Sequence, residues 1–243
     1  GQRGIKRVIA EMGGKNALIV AEDADLEAAA MGTVISAYGY QGQKCSACSR
    51  AIVLEGVYDK YLEILTEKTM QITIGPGEDP DAFFGPLINE AARKKVLRYI
   101  EIGKHEARLA LHRDVGSLAD EGYFVGPVIF ADVPPQARIA QEEIFGPVLS
   151  VIRAKDIDEA IDVANDSDYA LTGGAYSASR ETLDWVKREF KVGNLYLNRK
   201  IPGSVVNRQP FSGFKMSGIG SKAGGPDYLR QFMIPRTVTE KIG

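Results

Sequence analysis

The 243-residue chain contains few cysteine and histidine residues, and both shortages narrow its chemistry. Its two cysteines, Cys45 and Cys48, are too few for a disulfide framework and favour a reducing compartment. The two histidines, His105 and His112, lie in a different segment, so a zinc site built on the cysteines would lack its remaining ligands. We therefore expect no metal site in this chain.

The sequence also lacks the signatures of nucleic-acid and membrane proteins. Net charge is −2 and the Lys and Arg residues form no long basic stripe, so a nucleic-acid partner is not expected. No apolar run approaches the roughly 20 residues that a membrane-spanning helix needs, so a membrane is not expected either. No charged and then apolar leader is evident, which predicts a cytoplasmic location, or the mitochondrial matrix if the source is eukaryotic.

Short β-branched runs alternate with amphipathic helical segments along most of the chain. Strands are predicted at 8–10, 17–20, 50–55, 147–154, 173–177 and 193–198, with a less regular strand-like stretch at 124–133. Helices are predicted at 23–38, 57–72, 89–104, 157–164 and 179–190. This rhythm predicts an α/β fold of three layers, in which a largely parallel sheet has helices on both faces.

The segment YQGQKCSACSR, residues 40–50, holds both thiols and leaves several chemistries open. Cys45 and Cys48 have the spacing of a redox pair or of half a metal site, and a lone cysteine is also typical core filler. A nucleophilic thiol needs activation, because a free thiol is only about a few per cent ionised at pH 7. Lys44 and the backbone N–H groups after the glycine turn would favour the anion at Cys45.

No histidine lies near Cys45 in the sequence, so its catalytic base would be a carboxylate from elsewhere. Glu11 in EMGGK is a candidate, because the two glycines after it permit close approach of the backbone to a ligand. A carboxylate on such a turn is placed to activate water. Taken alone, Glu11 is also typical of a solvated strand end.

Four ordered motifs together resemble the aldehyde dehydrogenase superfamily. EMGGK at 11–15 is similar to its general-base motif, GQKCSA at 42–47 to its nucleophile motif, EEIFGPV at 142–148 to its cofactor-ribose motif, and QPFSGF at 209–214 to its PFGG loop. The resemblance extends over essentially all 243 residues. Further matches in GQKCSACSR, VGNLYLNRK, QPFSGFKMSG and SKAGGPDYL narrow it to the 1-pyrroline-5-carboxylate dehydrogenase branch.

The resemblance implies a reaction, the NAD-dependent oxidation of L-glutamate γ-semialdehyde to L-glutamate in proline degradation. Cys45 would attack the aldehyde carbon, with its own backbone N–H as one oxyanion donor, to give a thiohemiacetal and then a thioester. Glu11 would activate the water that hydrolyses the thioester. Glu143 would hold the hydroxyls of the nicotinamide ribose, with Phe145 packing nearby, and Cys48 would be a packed structural residue.

The same resemblance implies a binding site for the small-molecule aldehyde. Ser46, Gly203 and Ser204 would hold its α-carboxylate. Phe211 would flank its aliphatic stem, and Lys44 would add charge complementarity.

Three positions depart from the family pattern: Ser212 replaces a glycine of PFGG, Pro202 a threonine and Asn207 a glycine. Pro202 would stiffen the approach to the carboxylate site. These departures leave a different aldehyde open as the substrate. A non-catalytic scaffold that keeps the motifs as relics, and a redox or metal module built on the two cysteines, also remain open.

We expect residues 1–243 to be a catalytic domain that lacks its dinucleotide-binding domain. The chain begins at Gly1 rather than Met, strand-like residues start by Val8, and no G-x-G-x-x-G follows a predicted strand. By the resemblance, the NAD-binding domain would precede these residues in a longer protein. The chain alone would fold, form a homo-oligomer, expose an apolar former interdomain face and show little NAD-dependent turnover.

Overall fold

Eleven strands and seven α-helices lie in the part of the chain that the structure, a computed structural model, describes: residues 3–205 and 207–243. The strands are β1 (Ala10–Glu11), β2 (Asn16–Val20), β3 (Cys48–Leu54), β4 (Arg108–His112), β5 (Val128–Ala131), β6 (Val148–Ala154), β7 (Tyr169–Ala170), β8 (Thr172–Tyr176), β9 (Asn194–Leu197), β10 (Phe214–Lys215) and β11 (Gly218–Ile219). The helices are α1 (Leu26–Tyr38), α2 (Tyr58–Met70), α3 (Glu90–Glu106), α4 (Leu118–Glu121), α5 (Arg138–Gln141), α6 (Ile157–Asn165) and α7 (Arg180–Glu189). Within the described residues, no helix combines the length and apolar character needed to cross a membrane.

Seven strands form one sheet in the order β4-β5-β6-β3-β2-β8-β9. All neighbours run parallel except β4, which is antiparallel to β5. Parallel neighbours need crossover connections, and helices supply them: α1 joins β2 to β3, and α7 joins β8 to β9. The predicted α/β architecture with a largely parallel sheet is confirmed.

Buried side chains form one apolar layer on each face of the sheet. Ile19 and Ile52 belong to the layer that packs against α3, α6 and α7, whereas Leu18 and Val53 belong to the layer under α1 and α2. Successive residues of a strand point to opposite faces, so a central strand such as β2 is apolar throughout. This explains why ALIV at 17–20 reads as a continuous apolar run.

The predicted strand at 8–10 is wrong as a core element. Only Ala10 and Glu11 form a strand, and they pair with β11 outside the large sheet. Val8 is 72% exposed. Three β-branched or small apolar residues favour an extended backbone, but burial requires neighbouring strands, and the large sheet begins only at β2.

The long loop at 199–226 is held to two distant parts of the chain through two short strand pairings. β11 pairs with β1, and β10 pairs with β7. Met12 N also donates to Ser217 O at 3.0 Å. These contacts bring the QPFSGF motif next to EMGGK, although the two motifs are about 200 residues apart in sequence.

Helix α1 anchors the start of this long loop. Ser36 Oγ donates to Gly32 O at 2.5 Å and accepts from Ile201 N at 3.1 Å. Gly32 faces Tyr176 of β8 so closely that an added Cβ would lie 2.0 Å from the Tyr176 hydroxyl oxygen. The missing side chain therefore lets α1 sit directly on the sheet.

We expect Gly32→Ala to lower the free energy of unfolding by about 1–3 kcal/mol, because overpacking outweighs the gain in helix propensity. Urea denaturation followed by circular dichroism measures the change. Gly39→Ala is the matched control, because an added Cβ there meets nothing within 4 Å. A Gly32→Ala variant as stable as the parent chain would contradict the close packing of α1 on β8.

Candidate active site

A left-handed turn between α1 and β3 presents Cys45. Tyr40, Gln41 and Gly42 have φ values of 60°, 58° and 69°. A Cβ on Gly42 would lie 2.4 Å from Gly146 O, so this position requires glycine. Left-handed backbone costs a non-glycine residue about 1 kcal/mol, so the surrounding contacts must hold the turn.

The Asn16 side chain holds the backbone of Cys45 itself and of Ala47, two residues further along. Its Nδ2 donates to Cys45 O and to Ala47 O, both at 2.7 Å. Its Oδ1 accepts from Thr172 N at 2.9 Å, which ties the loop to β8. Asn16 is buried at the start of β2, and sequence reasoning missed it. The available signal was a polar residue opening an otherwise apolar strand.

The glycine turn after Glu11 is wedged between Cys45 and Glu143. Gly14 N donates to Glu143 Oε1 at 2.9 Å. A Cβ on Gly14 would lie 2.6 Å from Cys45 O, and one on Gly13 would lie 2.5 Å from Glu143 Oε2. The structure thus brings the EMGGK, GQKCSA and EEIFGPV motifs into contact at one turn.

The Cys45 thiol is half-buried, and its surroundings favour the protonated form. Burial raises its pKa, and the negative charges of Glu11 and Glu143 raise it further. Hydrogen bonds from the backbone N–H groups of Ser46 and of Cys45 itself oppose this increase and lower the pKa. The expected help from Lys44 is not seen, because its ammonium lies over the Tyr40 ring, 5.5 Å from the ring centre.

Cys48 differs from Cys45 in burial and in reactivity. It is the first residue of β3, is 2% exposed, and its thiol donates to Arg50 O at 3.4 Å. Burial raises its pKa to about 12. The two thiols are unbonded, and among the described residues no group of three or more His, Cys, Asp or Glu side chains is arranged to hold a metal ion. Cys48 therefore packs in the core, as the sequence predicts.

Glu11 lies in β1 at the rim of the site. Partial burial raises the pKa of its carboxyl, and hydrogen bonding with the Ser212 side chain lowers it. Its negative charge raises the pKa of the Cys45 thiol, so Glu11 lies close enough to influence that sulfur. The sequence alone could not distinguish this position from a solvated strand end.

A cavity of about 740 Å³ lies beside Glu143. Lys95 of α3 lines it and donates from Nζ to Glu143 O at 2.9 Å, a contact that sequence reasoning missed. The neighbouring Glu142 accepts from Arg138 Nε at 2.8 Å and from the Tyr99 hydroxyl at 2.5 Å, and these bonds hold its pKa at about 2. Glu142 is therefore structurally paired, whereas Glu143 faces the turn and the cavity.

Phe145 occupies an exposed left-handed position after Glu143. Its φ is 61° and its side chain is 42% exposed. It borders a small gap that Gly14 and Lys44 also line, so an aromatic ring is available between Glu143 and the Cys45 loop.

A second cavity, of about 680 Å³, opens at Cys45. It is lined by every residue predicted to contact the substrate: Lys44, Ser46, Gly203, Ser204 and Phe211. Arg199 and Lys200 also line it, and no Asp or Glu does so within the described ranges 3–205 and 207–243. The cavity is therefore cationic, mainly through side chains that the sequence motifs did not single out.

The hydroxyl of Ser204 is fixed by two side chains of β9. Tyr196 Oη lies 2.6 Å from Ser204 Oγ, and Asn194 Nδ2 donates to the same oxygen at 3.4 Å. Pro202 lines the same cavity wall. A hydroxyl held in this way is preorganised to donate to or accept from a bound molecule.

Lys15, at the end of EMGGK, is buried and has no hydrogen-bond partner for Nζ among the described residues. Its pKa is lowered to about 7, chiefly by burial and next by the Arg50 charge, and the charge of Glu143 opposes both. Arg50 itself is satisfied: it donates to Lys15 O, Val163 O and Ala164 O at 2.8–3.1 Å. Two buried basic side chains thus lie next to the glycine turn: Lys15, whose Nζ has no hydrogen-bond partner among the described residues, and Arg50, whose guanidinium donates four hydrogen bonds.

We expect Glu11→Gln to speed the alkylation of Cys45 by iodoacetamide at about pH 8 by about two- to fivefold. Loss of the negative charge lowers the pKa of Cys45 and so increases the thiolate fraction. Both thiols lie in the tryptic peptide CSACSR, so its fragmentation in tandem mass spectrometry gives the rates for Cys45 and Cys48 separately. Cys48 should stay unlabelled in the folded chain. Glu181→Gln, an exposed change on α7, is the control. Equal Cys45 rates in all three chains would argue against a shared site.

We expect Lys15→Met to stabilise the chain by about 1–4 kcal/mol at about pH 6, with the difference shrinking towards pH 10. The pKa of Lys15 falls from 10.5 to about 7 on folding, so the unfolded chain binds more protons between these values. The contribution of Lys15 to stability is therefore present above pH 10.5 and lost as the pH falls through about 7. Urea denaturation across this range measures it, with the exposed Lys60→Met as control. A stability difference between the parent chain and Lys15→Met that did not change with pH would refute a buried Lys15 with a lowered pKa.

Comparison with known proteins agrees with the motifs. The model of the Aldehyde dehydrogenase family matches residues 1–238. The 1-pyrroline-5-carboxylate dehydrogenase of Geobacillus sp. (strain WCH70) is 52% identical over 242 residues, which cover 99% of this chain and 46% of that protein. This chain therefore spans about half the length of the curated relatives that it matches.

Solved structures show the same partial coverage. The structure of 1-pyrroline-5-carboxylate dehydrogenase from Thermus with bound NAD has a TM-score of 0.91 and 55% identity, covering 96% of this chain and 44% of that one. Proline utilization A (PutA) from Bdellovibrio bacteriovorus, inactivated by N-propargylglycine, has a TM-score of 0.95 and 52% identity, covering 99% of this chain and 25% of that one.

Proposed function

Because this chain belongs to the aldehyde dehydrogenase family, we propose that it is the nucleophile-bearing half of an NAD-dependent dehydrogenase that oxidises an aldehyde through a thioester on Cys45. The observation that supports this most directly is the meeting of Cys45, Glu11 and Glu143 at one glycine turn. No single motif would distinguish a catalytic thiol from a structural one, whereas their convergence provides both a nucleophile and a carboxylate base.

The acylation step follows from the position of the thiol. Cys45 attacks the aldehyde carbon as the thiolate, its proton having passed to solvent, and the C–S bond forms as the carbonyl oxygen becomes anionic. The backbone N–H of Cys45 lies beside the sulfur and is available to stabilise that oxygen, a donor typically worth about 10²–10³ in rate. Bound NAD supplies the acceptor for the hydride that leaves the same carbon.

Deacylation requires a water molecule, and Glu11 is the base that the site offers. Its carboxylate accepts a proton as water attacks the thioester, the C–S bond breaks, and the carboxylic acid leaves while Cys45 is restored. Burial raises the pKa of Glu11, which improves a carboxylate as a base near neutral pH.

The residues beside the 740 Å³ cavity fit a nicotinamide riboside. The Glu143 carboxylate, bonded only through Oε1 to Gly14 N among the described contacts, has acceptor capacity for ribose hydroxyls. Lys95 steadies the Glu143 backbone and adds positive charge at the cavity. The exposed Phe145 ring borders the small gap on the other side of Glu143 and not this cavity, and it offers an apolar surface for the nicotinamide. Glu143 and Phe145 are therefore our candidate cofactor contacts.

For the substrate we propose L-glutamate γ-semialdehyde, as the relatives' names suggest. The α-carboxylate of this aldehyde suits a cavity that Lys44, Arg199 and Lys200 line without an opposing carboxylate among the described residues. Ser46, Gly203 and Ser204 would receive that carboxylate, with Phe211 against the methylene chain. Pro202 on the wall leaves another aldehyde as the second candidate.

The rest of the protein is proposed on the same basis. We place the dinucleotide-binding domain outside residues 1–243, because the relatives are about twice as long. The exposed apolar side chains of Val8, Met216 and Ile219 support a face that the dinucleotide-binding domain covers. The exposed apolar side chains of Met233 and Ile234 support a homo-oligomer that forms through the carboxyl-terminal tail. A cytoplasmic location stays a prediction.

An activated ester tests the proposal on the 243-residue chain without a cofactor. p-Nitrophenyl acetate acylates a nucleophilic thiol directly and gives a thioester of the same kind. We expect a burst of about one equivalent of p-nitrophenolate, then steady turnover. Glu11→Gln should keep the burst and lower the steady rate by about 10²-fold, because water loses its base.

Two cysteine variants complete this experiment. Cys45→Ala should lose burst and turnover, whereas Cys48→Ala, which removes a buried thiol, should retain both. The proposal would be overturned by a chain that shows no burst, or by a burst that is lost in Cys48→Ala. A chain that is folded but shows no burst would favour the alternative of a non-catalytic scaffold that keeps the motifs as relics.

A further inference from the structure

Arg199 lines the cavity at Cys45, and no described carboxylate pairs with it. Arginines elsewhere in the chain do pair with an Asp or Glu side chain: Arg108, Arg138, Arg153, Arg180 and Arg230. Within residues 3–205 and 207–243, the contact of the Arg199 guanidinium is with an aromatic ring, and neither a hydrogen bond nor an ion pair holds it. Its N–H donors therefore remain available to a bound anion.

Tyr196 of β9 positions this guanidinium. The central carbon of the guanidinium lies over the Tyr196 ring, 5.6 Å from the ring centre. The ring is buried, and its hydroxyl oxygen lies 2.6 Å from Ser204 Oγ. One aromatic side chain therefore supports a cation on its face and a serine hydroxyl at its edge, and both groups line the same cavity.

Gly203 leaves the space that the guanidinium occupies. A Cβ on Gly203 would lie 2.8 Å from Arg199 Nη2 and 3.4 Å from Cε1 of Tyr196. A side chain at this position would therefore displace the guanidinium from the ring. Nη2 of Arg199 thus lies against the backbone of Gly203, which is next to Ser204 in the chain, so a carboxylate held by these two residues would meet the guanidinium.

The two lysines that line the cavity are placed differently. The Lys44 ammonium lies over the ring of Tyr40, 5.5 Å from its centre, on a side chain that is 66% exposed. Lys200 also lines the cavity, but no described contact joins its side chain to the wall formed by the serine and the glycine. A lysine presents a point charge, whereas a planar guanidinium can donate a pair of parallel N–H bonds to one carboxylate.

We propose that the Arg199 guanidinium determines the specificity of this cavity by forming an ion pair with the α-carboxylate of the aldehyde, beside Gly203 and Ser204. The assignment rests on the function proposed above, in which Cys45 bonds to the aldehyde carbon. It gives each end of the substrate its own partner, the sulfur for the aldehyde and the guanidinium for the carboxylate. An aldehyde without a carboxylate gains no binding energy from Arg199.

Two p-nitrophenyl esters that differ by one carboxylate test the proposal on the 243-residue chain. Mono-p-nitrophenyl glutarate transfers to Cys45 an acyl group that ends in a carboxylate, and p-nitrophenyl pentanoate transfers an uncharged group with the same number of carbons. The measured quantity is the ratio of the second-order acylation rates, glutarate over pentanoate, corrected for hydrolysis without protein. Arg199→Gln should lower this ratio by about tenfold, because a charge-assisted contact is lost. Arg199→Lys should restore only part of it, because the charge returns without the planar donor pair.

Two further variants separate a direct contact from the general positive charge. Arg208→Gln removes an exposed arginine of the same loop that is not among the cavity-lining residues, and it should leave the ratio within about twofold. Lys200→Gln removes a charge from the cavity wall and should lower the ratio less than Arg199→Gln does. An unchanged ratio in Arg199→Gln, or an equal fall in Lys200→Gln, would mean that no guanidinium contact selects the carboxylate and would overturn the proposal.

A second measurement does not depend on thioester formation. Glutarate itself should slow the alkylation of Cys45 by iodoacetamide, and Arg199→Gln should need about tenfold more glutarate for half protection. Equal half-protecting concentrations, or no protection of the parent chain, would overturn the role of Arg199 and leave the thioester mechanism standing. A chain without a burst on either ester would overturn the proposed function, while the protection by glutarate would still decide whether Arg199 binds a carboxylate.

Discussion

The hydrogen bonds of the Asn16 side-chain amide are the interactions on which the site depends. Its two N–H bonds fix the carbonyls of Cys45 and Ala47, and its oxygen receives the first N–H of the neighbouring strand β8. A left-handed turn of Tyr40, Gln41 and Gly42 is costly by itself, so it persists only where such bonds determine it. The core sheet thereby transmits its rigidity to a loop that would otherwise be free to vary.

The glycine turn gives the site its second constraint, which is close approach. Any side chain at Gly13 or Gly14 would overlap Glu143 or the backbone of Cys45. The cost of this closeness is electrostatic: two carboxylates face one sulfur, and the thiol is held protonated near neutral pH. In the proposed mechanism, the same proximity would leave Glu11 available to water once the sulfur is acylated. A carboxylate that hinders ionisation of the free thiol would then be well placed for the later step.

The long loop after β9 completes the site through contacts that differ in their chemistry. Arg199 and Lys200 add positive charge to the cavity, and Tyr196 and Asn194 fix the Ser204 hydroxyl. The departures from the family motifs lie in this loop. Variation there alters the cavity wall while the sheet and the Cys45 turn stay unchanged, which is where a shared fold acquires its particular chemistry.

The sequence by itself determined the layered α/β architecture, because strand and helix periodicities are local and the apolar run ALIV reflects burial on both faces of β2. It also identified Cys45 and the residues of its cavity, because their motifs are ordered and specific. Only the tertiary structure decided that Val8 is exposed, that Asn16 and Arg199 belong to the site, and that Lys44 does not assist the thiol. Each of these depends on contacts between segments far apart in the chain, which no local pattern records. The physical reason is that burial and charge act through space, whereas periodicity acts along the backbone.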